Sequence, residues 1–94
     1  MKGYIYLIES GGFVKIGRTN NPKNRIKNYV TENPNPQKIL LVFPVSNPEV
    51  VEREVHKGFT EDRHRGEWFV PPNGDVEDMT LLVRDYLQTY YAPV

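Results

Sequence analysis

A chain of 94 residues is long enough to bury one hydrophobic core and too short for two. Its lack of cysteine excludes a disulfide scaffold, a zinc-thiolate site and a cysteine nucleophile, and its longest apolar run, residues 39–43, falls far short of the roughly 20 residues of a membrane span. Net charge is zero but unevenly spread: residues 1–30 carry Lys2, Lys15, Arg18, Lys23, Arg25 and Lys27 against Glu9 alone, whereas residues 67–94 carry Arg84 against Glu67, Asp75, Glu77, Asp78 and Asp85. A zero balance argues against a nucleic-acid partner for the chain as a whole, while the basic N-terminal third offers one face to such a partner. The N-terminus lacks a basic-then-apolar signal pattern, so the expectation is a cytoplasmic protein without membrane attachment.

Residues 2–8 and 13–17, rich in Tyr, Ile and Val and separated by Ser10-Gly11-Gly12, predict a β-hairpin. A two-residue turn at Ser10-Gly11 sets Leu7 opposite Val14, Tyr6 opposite Lys15 and Ile5 opposite Ile16. Strand alternation then gathers Ile5, Leu7, Val14 and Ile16 on one face and Tyr4, Tyr6 and Lys15 on the other. Asn21-Pro22 is a helix start, with a helix expected over about 22–29. A loop over 31–37 leads to a largely buried strand at 38–43, stopped by Pro44. Ser46-Asn47-Pro48-Glu49 opens a second helix to about residue 59, with a capping box between Ser46 and Glu49 and an apolar stripe of Val51, Val55 and Phe59. Residues 60–66 form a charged loop, 67–70 a short extended piece and Pro71-Pro72-Asn73-Gly74 a turn. Asp75 caps a last helix over about 76–90, whose stripe is Val76, Met79, Val83, Tyr86, Leu87 and Tyr90. The expected architecture is one α+β domain over 1–94, a small antiparallel three-stranded sheet flanked by helices.

Four polar features carry chemistry: Tyr6 and Lys15 across the hairpin, Arg25 with Tyr29 one turn on, Glu52 with His56 one turn on, and Glu67-Trp68-Phe69. The i, i+4 spacing puts each helical pair on one face. His56 has three open roles, as a metal ligand beside Glu52, as a phosphate contact or in packing against the Trp68 segment. His64, between Arg63 and Arg65, belongs to a loop that can touch a nucleic-acid backbone.

Tyr4-Ile5-Tyr6, Lys15-Ile16-Gly17, Arg25 eight residues beyond that glycine, Tyr29 and Glu52 together resemble, in order and spacing, the GIY-YIG nuclease superfamily. The likeness is greatest to the small phage and bacterial branch in which Lys replaces the second motif tyrosine, followed by a Glu-x-x-x-His helix and a Gly-Glu-Trp-Phe segment, here Glu52 to His56 and Gly66-Glu67-Trp68-Phe69. It covers about residues 3–70 and leaves the last helix outside. The resemblance implies a metal-dependent endonuclease acting on DNA, with Tyr6, Lys15, Arg25 and Glu52 as catalytic residues, Glu52 on Mg²⁺ or Mn²⁺, and Arg18, Tyr29 and His56 binding substrate. No organic cofactor is implied. A hard divalent cation suits a single carboxylate whose other positions go to water and phosphate oxygens, and Arg25 suits bidentate phosphate binding. By the expected register Lys15 is the cation that lowers the Tyr6 pKa. A rival expectation is a nucleic-acid-binding module of the same fold that does not cleave, and a third is a protein-interaction domain whose acidic last helix docks a partner.

Overall fold

The computed structural model describes residues 2–25, 27 and 37–92. Strands β1 (Gly3–Ser10) and β2 (Phe13–Thr19) are followed by a helical turn at 22–25, strand β3 (Lys38–Val45) and helix α1 (Pro48–Gly58). A 3-10 turn (Thr60–Asp62), strands β4 (Arg63–Arg65) and β5 (Trp68–Phe69), a second 3-10 turn (Pro72–Gly74) and helix α2 (Val76–Tyr91) complete the chain. The α+β class is as expected, but the sheet has five strands rather than three, in the order β3-β1-β2-β5-β4, all antiparallel. The two additional strands are short and made by tertiary pairing. Phe69 and Trp68 join β2 opposite Val14 and Lys15, and Arg63-His64-Arg65, exposed and without apolar alternation, pairs outside them. Charged side chains on such a short edge discourage pairing with another chain.

The first hairpin closes at Gly11-Gly12, with Ser10 opposite Phe13, not at Ser10-Gly11. Both glycines have positive φ, +58° and +85°, as a primed two-residue turn requires at both central positions. The pairing is therefore two residues away from the expected one. A slip of two leaves each side chain on its face, so Ile5, Leu7, Val14 and Ile16 still share the core, but the partners change. Tyr6 lies opposite Gly17, and Lys15 opposite Ile8.

β3 runs through Pro44 to Val45 and alternates between buried Phe43 and Val45 and exposed Val42 and Pro44. It is an edge strand, where a missing N–H is tolerated; hence it is neither largely buried nor stopped at the proline. Val51 and Val55 of α1 and Met79, Val83 and Leu87 of α2 pack with Phe69 on the Ile5, Leu7, Val14, Ile16 face. Each fully buried side chain of this kind contributes about 1.5–3 kcal/mol. On the opposite face Tyr6 and Ile8 are also buried.

The N-cap of α1 is Asn47, with Pro48 at the first turn and no side-chain cap bond, so the Ser46–Glu49 capping box does not form: the helix begins one residue later than that box needs. Asp75 does cap α2, its Oδ1 accepting from Asp78 N at 3.0 Å. Tyr90 is 67 % exposed, outside the buried stripe, and its ring lies against Tyr86 at 4.9 Å. No described helix is long and apolar enough to cross a membrane.

Candidate functional site

The polar features converge on three consecutive residues of β2, Ile16-Gly17-Arg18. Directly across from Gly17, the Tyr6 ring packs over the glycine: a Cβ there would fall 2.5 Å from both Cζ and Oη of Tyr6. Only the missing side chain lets a buried tyrosine bring its hydroxyl onto the strand at this point. Arg25 reaches the same hydroxyl, Nε donating to Oη at 3.3 Å. It is presented by the helical turn, whose N-cap Asn21 accepts from Asn24 N at 3.2 Å through its side chain and from Arg25 N at 3.1 Å through its carbonyl. Arg25 is thus a cation beside Tyr6, reached from outside the hairpin. Lys15 is buried on the same face, but its Nζ lies 3.7 Å from Glu67 Oε2.

At Ile16 the β2–β5 ladder ends. Ile16 N donates to Glu67 O at 3.0 Å, one residue beyond the Lys15–Trp68 pair, and the Ile16 carbonyl is met by His56 Nε2 at 2.8 Å. A carbonyl only accepts, so the proton sits on Nε2. The imidazole also packs on Phe69, with centroids 5.2 Å apart. His56 thus packs against the Trp68-Phe69 segment and holds the β2 backbone through Nε2.

Glu52 and His56 each follow a buried valine, Val51 and Val55, by one position on α1. A helix turns about 100° per residue, which sets both at the border of the buried stripe, against the edge of β2. Glu52 Oε1 lies 3.7 Å from Arg18 Nε, and the carboxylate is largely enclosed. Oε2 is buried and has no hydrogen-bond partner among the described residues. Burial pushes the Glu52 carboxyl above the usual carboxylate range and the Glu67 charge adds to this, while His56, Arg18 and Lys15 act in the opposite direction.

The described residues contain no group of three or more His, Cys, Asp or Glu side chains able to hold a metal ion. Glu52 alone, with one oxygen unengaged, fits a hard divalent cation that keeps most of its shell as water and substrate oxygen. Among the expected site residues, Tyr6 and Arg25 are brought together, as are Glu52, Arg18 and His56; Tyr29 lies outside the described residues. Gly17, quoted only within the Lys15-Ile16-Gly17 motif, and Glu67, quoted only within Glu67-Trp68-Phe69, acquire specific places in the site that the sequence did not give them. The Gly11-Gly12 turn signal places Gly17 under Tyr6, and pairing of β5 with β2 places Glu67 beside Lys15.

Together the fold and site define a small α+β domain with a tyrosine–arginine pair on one sheet face and a helix-borne glutamate at the edge of the same strand. The T5orf172 domain model matches residues 3–84, reaching into α2. The chain belongs to that family, a phage-associated domain related to nuclease-like folds. Comparisons with curated proteins and with solved structures gave no significant match.

Proposed function

We propose that this domain is a metal-dependent endonuclease of GIY-YIG type that hydrolyses DNA phosphodiester bonds. The observation that carries the reading is the convergence of Tyr6 with Arg25, and of Glu52 with Arg18, on the residues around Gly17. Phosphodiester hydrolysis needs an activated water and neutralisation of charge developing on the phosphate. Tyr6 takes the proton of the attacking water at Oη, the oxygen to which the Arg25 guanidinium donates. The remaining Arg25 nitrogens bind the scissile phosphate, for which a guanidinium has suitable donors. Arg18, on the exposed side of the same edge, contributes positive charge toward the backbone, and Lys15 balances Glu67. Mg²⁺ or Mn²⁺ held by Glu52 would neutralise phosphate charge and acidify a bound water.

The tie between Lys15 and Glu67 favours one second reading, a module of the same fold that binds nucleic acid without cutting it, since that cation is engaged where the superfamily motif has its second tyrosine. Nicking of supercoiled plasmid separates the two. Cleavage with Mg²⁺ or Mn²⁺ that is lost with EDTA and in Glu52→Ala supports the nuclease; retained DNA binding with no metal-dependent cleavage supports the module.

A further inference from the structure

A second surface lies on the Tyr6 face of the sheet, beyond Lys15. Strand alternation places Phe13, Lys15 and Gly17 on one side of β2. Trp68 pairs with Lys15 and Arg65 pairs with Trp68, and directly paired residues share a face, so this row continues across β5 to β4. The pairing shifts between Arg63 and Arg65, leaving His64 as an extra residue of the edge strand. Such irregularities re-aim a side chain. Here the imidazole stacks on Phe13, with centroids 4.7 Å apart and planes 29° from parallel.

Phe13 is nevertheless 36 % exposed. Together with Ser10, Gly11, His64, Arg65 and Trp68 it lines an open cleft of about 380 Å³. No lining residue is acidic, and Arg65 and His64 are both exposed. Neighbouring Arg63 is held in place by its Nε bond to Gly66 O at 2.7 Å. Aromatic rings interleaved with cations are the composition that binds unpaired bases together with their phosphates.

We infer that this cleft seats an unpaired base of the DNA strand held at the Tyr6–Arg25 site, so that the substrate carries a single-stranded or frayed segment beside the scissile bond. The inference rests on the nucleic-acid reading above and adds the substrate class. Four residue-to-residue steps along β2 lead from Phe13 to Gly17, roughly 13 Å at about 3.3 Å per step. That distance corresponds to about four nucleotides at the roughly 3.4 Å rise of a DNA strand. Between the two points the strand follows the edge occupied by Glu67, whose charge is met by the buried Lys15, and the net positive charge at the far end comes from β4.

Trp68 is the sole tryptophan of the chain, and its emission reports on the cleft without a label. The test titrates the full chain, in EDTA so that nothing is cut, with a single-stranded oligonucleotide, a blunt duplex and a duplex bearing an overhang of about four nucleotides. The single strand and the overhang should quench Trp68, and the blunt duplex should not. Phe13→Ala should weaken binding of the first two by about tenfold while leaving the blunt duplex within about twofold; Phe13→Tyr should restore binding, and thermal melts establish that each variant is folded. Equal loss on all three oligonucleotides, or no loss on any, overturns the base-seating role while leaving the nuclease reading standing. Failure of the unmodified protein to bind any of them at low salt overturns both.

Discussion

Tyr6 and Gly17 face each other across the first hairpin, and the phenol lies so close that residue 17 has no room for a Cβ, which would stand 2.5 Å from Tyr6 Oη. Gly17→Ala therefore pushes the ring off the strand and away from Arg25, although the backbone at residue 17 has no need of positive φ. The buried ring has little space to retreat, and overpacking of this kind costs about 1–3 kcal/mol. The expected result is a folded protein with a lowered melting temperature and little plasmid nicking. Near-normal nicking in Gly17→Ala would separate the Tyr6 position from the chemistry.

The Tyr6–Arg25 bond links the hydroxyl to a guanidinium through Nε, a donor that lysine lacks. Arg25→Lys keeps the charge and loses the fork. It should cut nicking strongly while shifting stability by no more than about 0.5 kcal/mol, because Arg25 is exposed. Tyr6→Phe removes the hydroxyl alone, costs about 0.5–1.5 kcal/mol and should be inactive at every pH. A phenylalanine variant that still cuts would exclude Tyr6 as the base.

His56 holds the Ile16 carbonyl at the point where the sheet ladder ends. His56→Ala leaves that acceptor without its partner and opens a gap against Phe69, a loss of about 1–3 kcal/mol. Metal affinity, measured by calorimetry on variant and unmodified protein at a temperature where both are folded, should stay within about twofold. A tenfold loss, equivalent to about 1.4 kcal/mol, would show that the imidazole ligates after all.

Much of the hairpin was legible because alternation alone sorts Ile5, Leu7, Val14 and Ile16 from Tyr6 and Lys15, and a slip of two residues does not disturb that sorting. The partner of Tyr6 was not, since it depends on which two of Ser10, Gly11 and Gly12 make the turn; the pair able to adopt positive φ at both positions won. β4 was invisible for a different reason. Arg63-His64-Arg65 has no apolar residue to mark a buried face, and it becomes a strand only because Trp68-Phe69 is already paired to β2. The spacing of Glu52 and His56 put them on one helix face, but only the packing of Val51 and Val55 turned that face toward Ile16-Gly17-Arg18.

The basic helical turn predicts a salt-dependent interaction. Lys23 and Lys27 are exposed, and with Arg18 and Arg25 they allow about four phosphate contacts, so log affinity should fall with log salt at a slope of about −3 to −4. Reversing charge at Lys23 or Lys27 should weaken duplexes of unrelated sequence alike. A flat salt response would leave the basic segment without a nucleic-acid role.

Glu52 supplies a prediction in which stability and metal binding are read together. Burial, reinforced by Glu67, raises its pKa in the folded chain above the ordinary 4.5, so the folded state holds the proton more tightly than the unfolded state does. The stabilisation from the neutral carboxyl is present at acid pH and declines as pH rises from the unfolded value through the raised folded value. Ionisation leaves the charge on a carboxylate whose Oε2 has no hydrogen-bond partner among the described residues. Glu52→Gln removes that charge at nearly constant shape. Denaturant melts across a pH series should find the variant more stable than the unmodified protein at neutral pH, with the difference shrinking toward and below pH 4.5. Mg²⁺ should stabilise the unmodified protein at neutral pH by mass action and leave the variant unchanged, while nicking is lost in the variant at every pH. Equal stabilisation of both proteins by Mg²⁺ would remove Glu52 as the ligand, and a stability difference independent of pH would show that its carboxyl does not titrate as its burial requires.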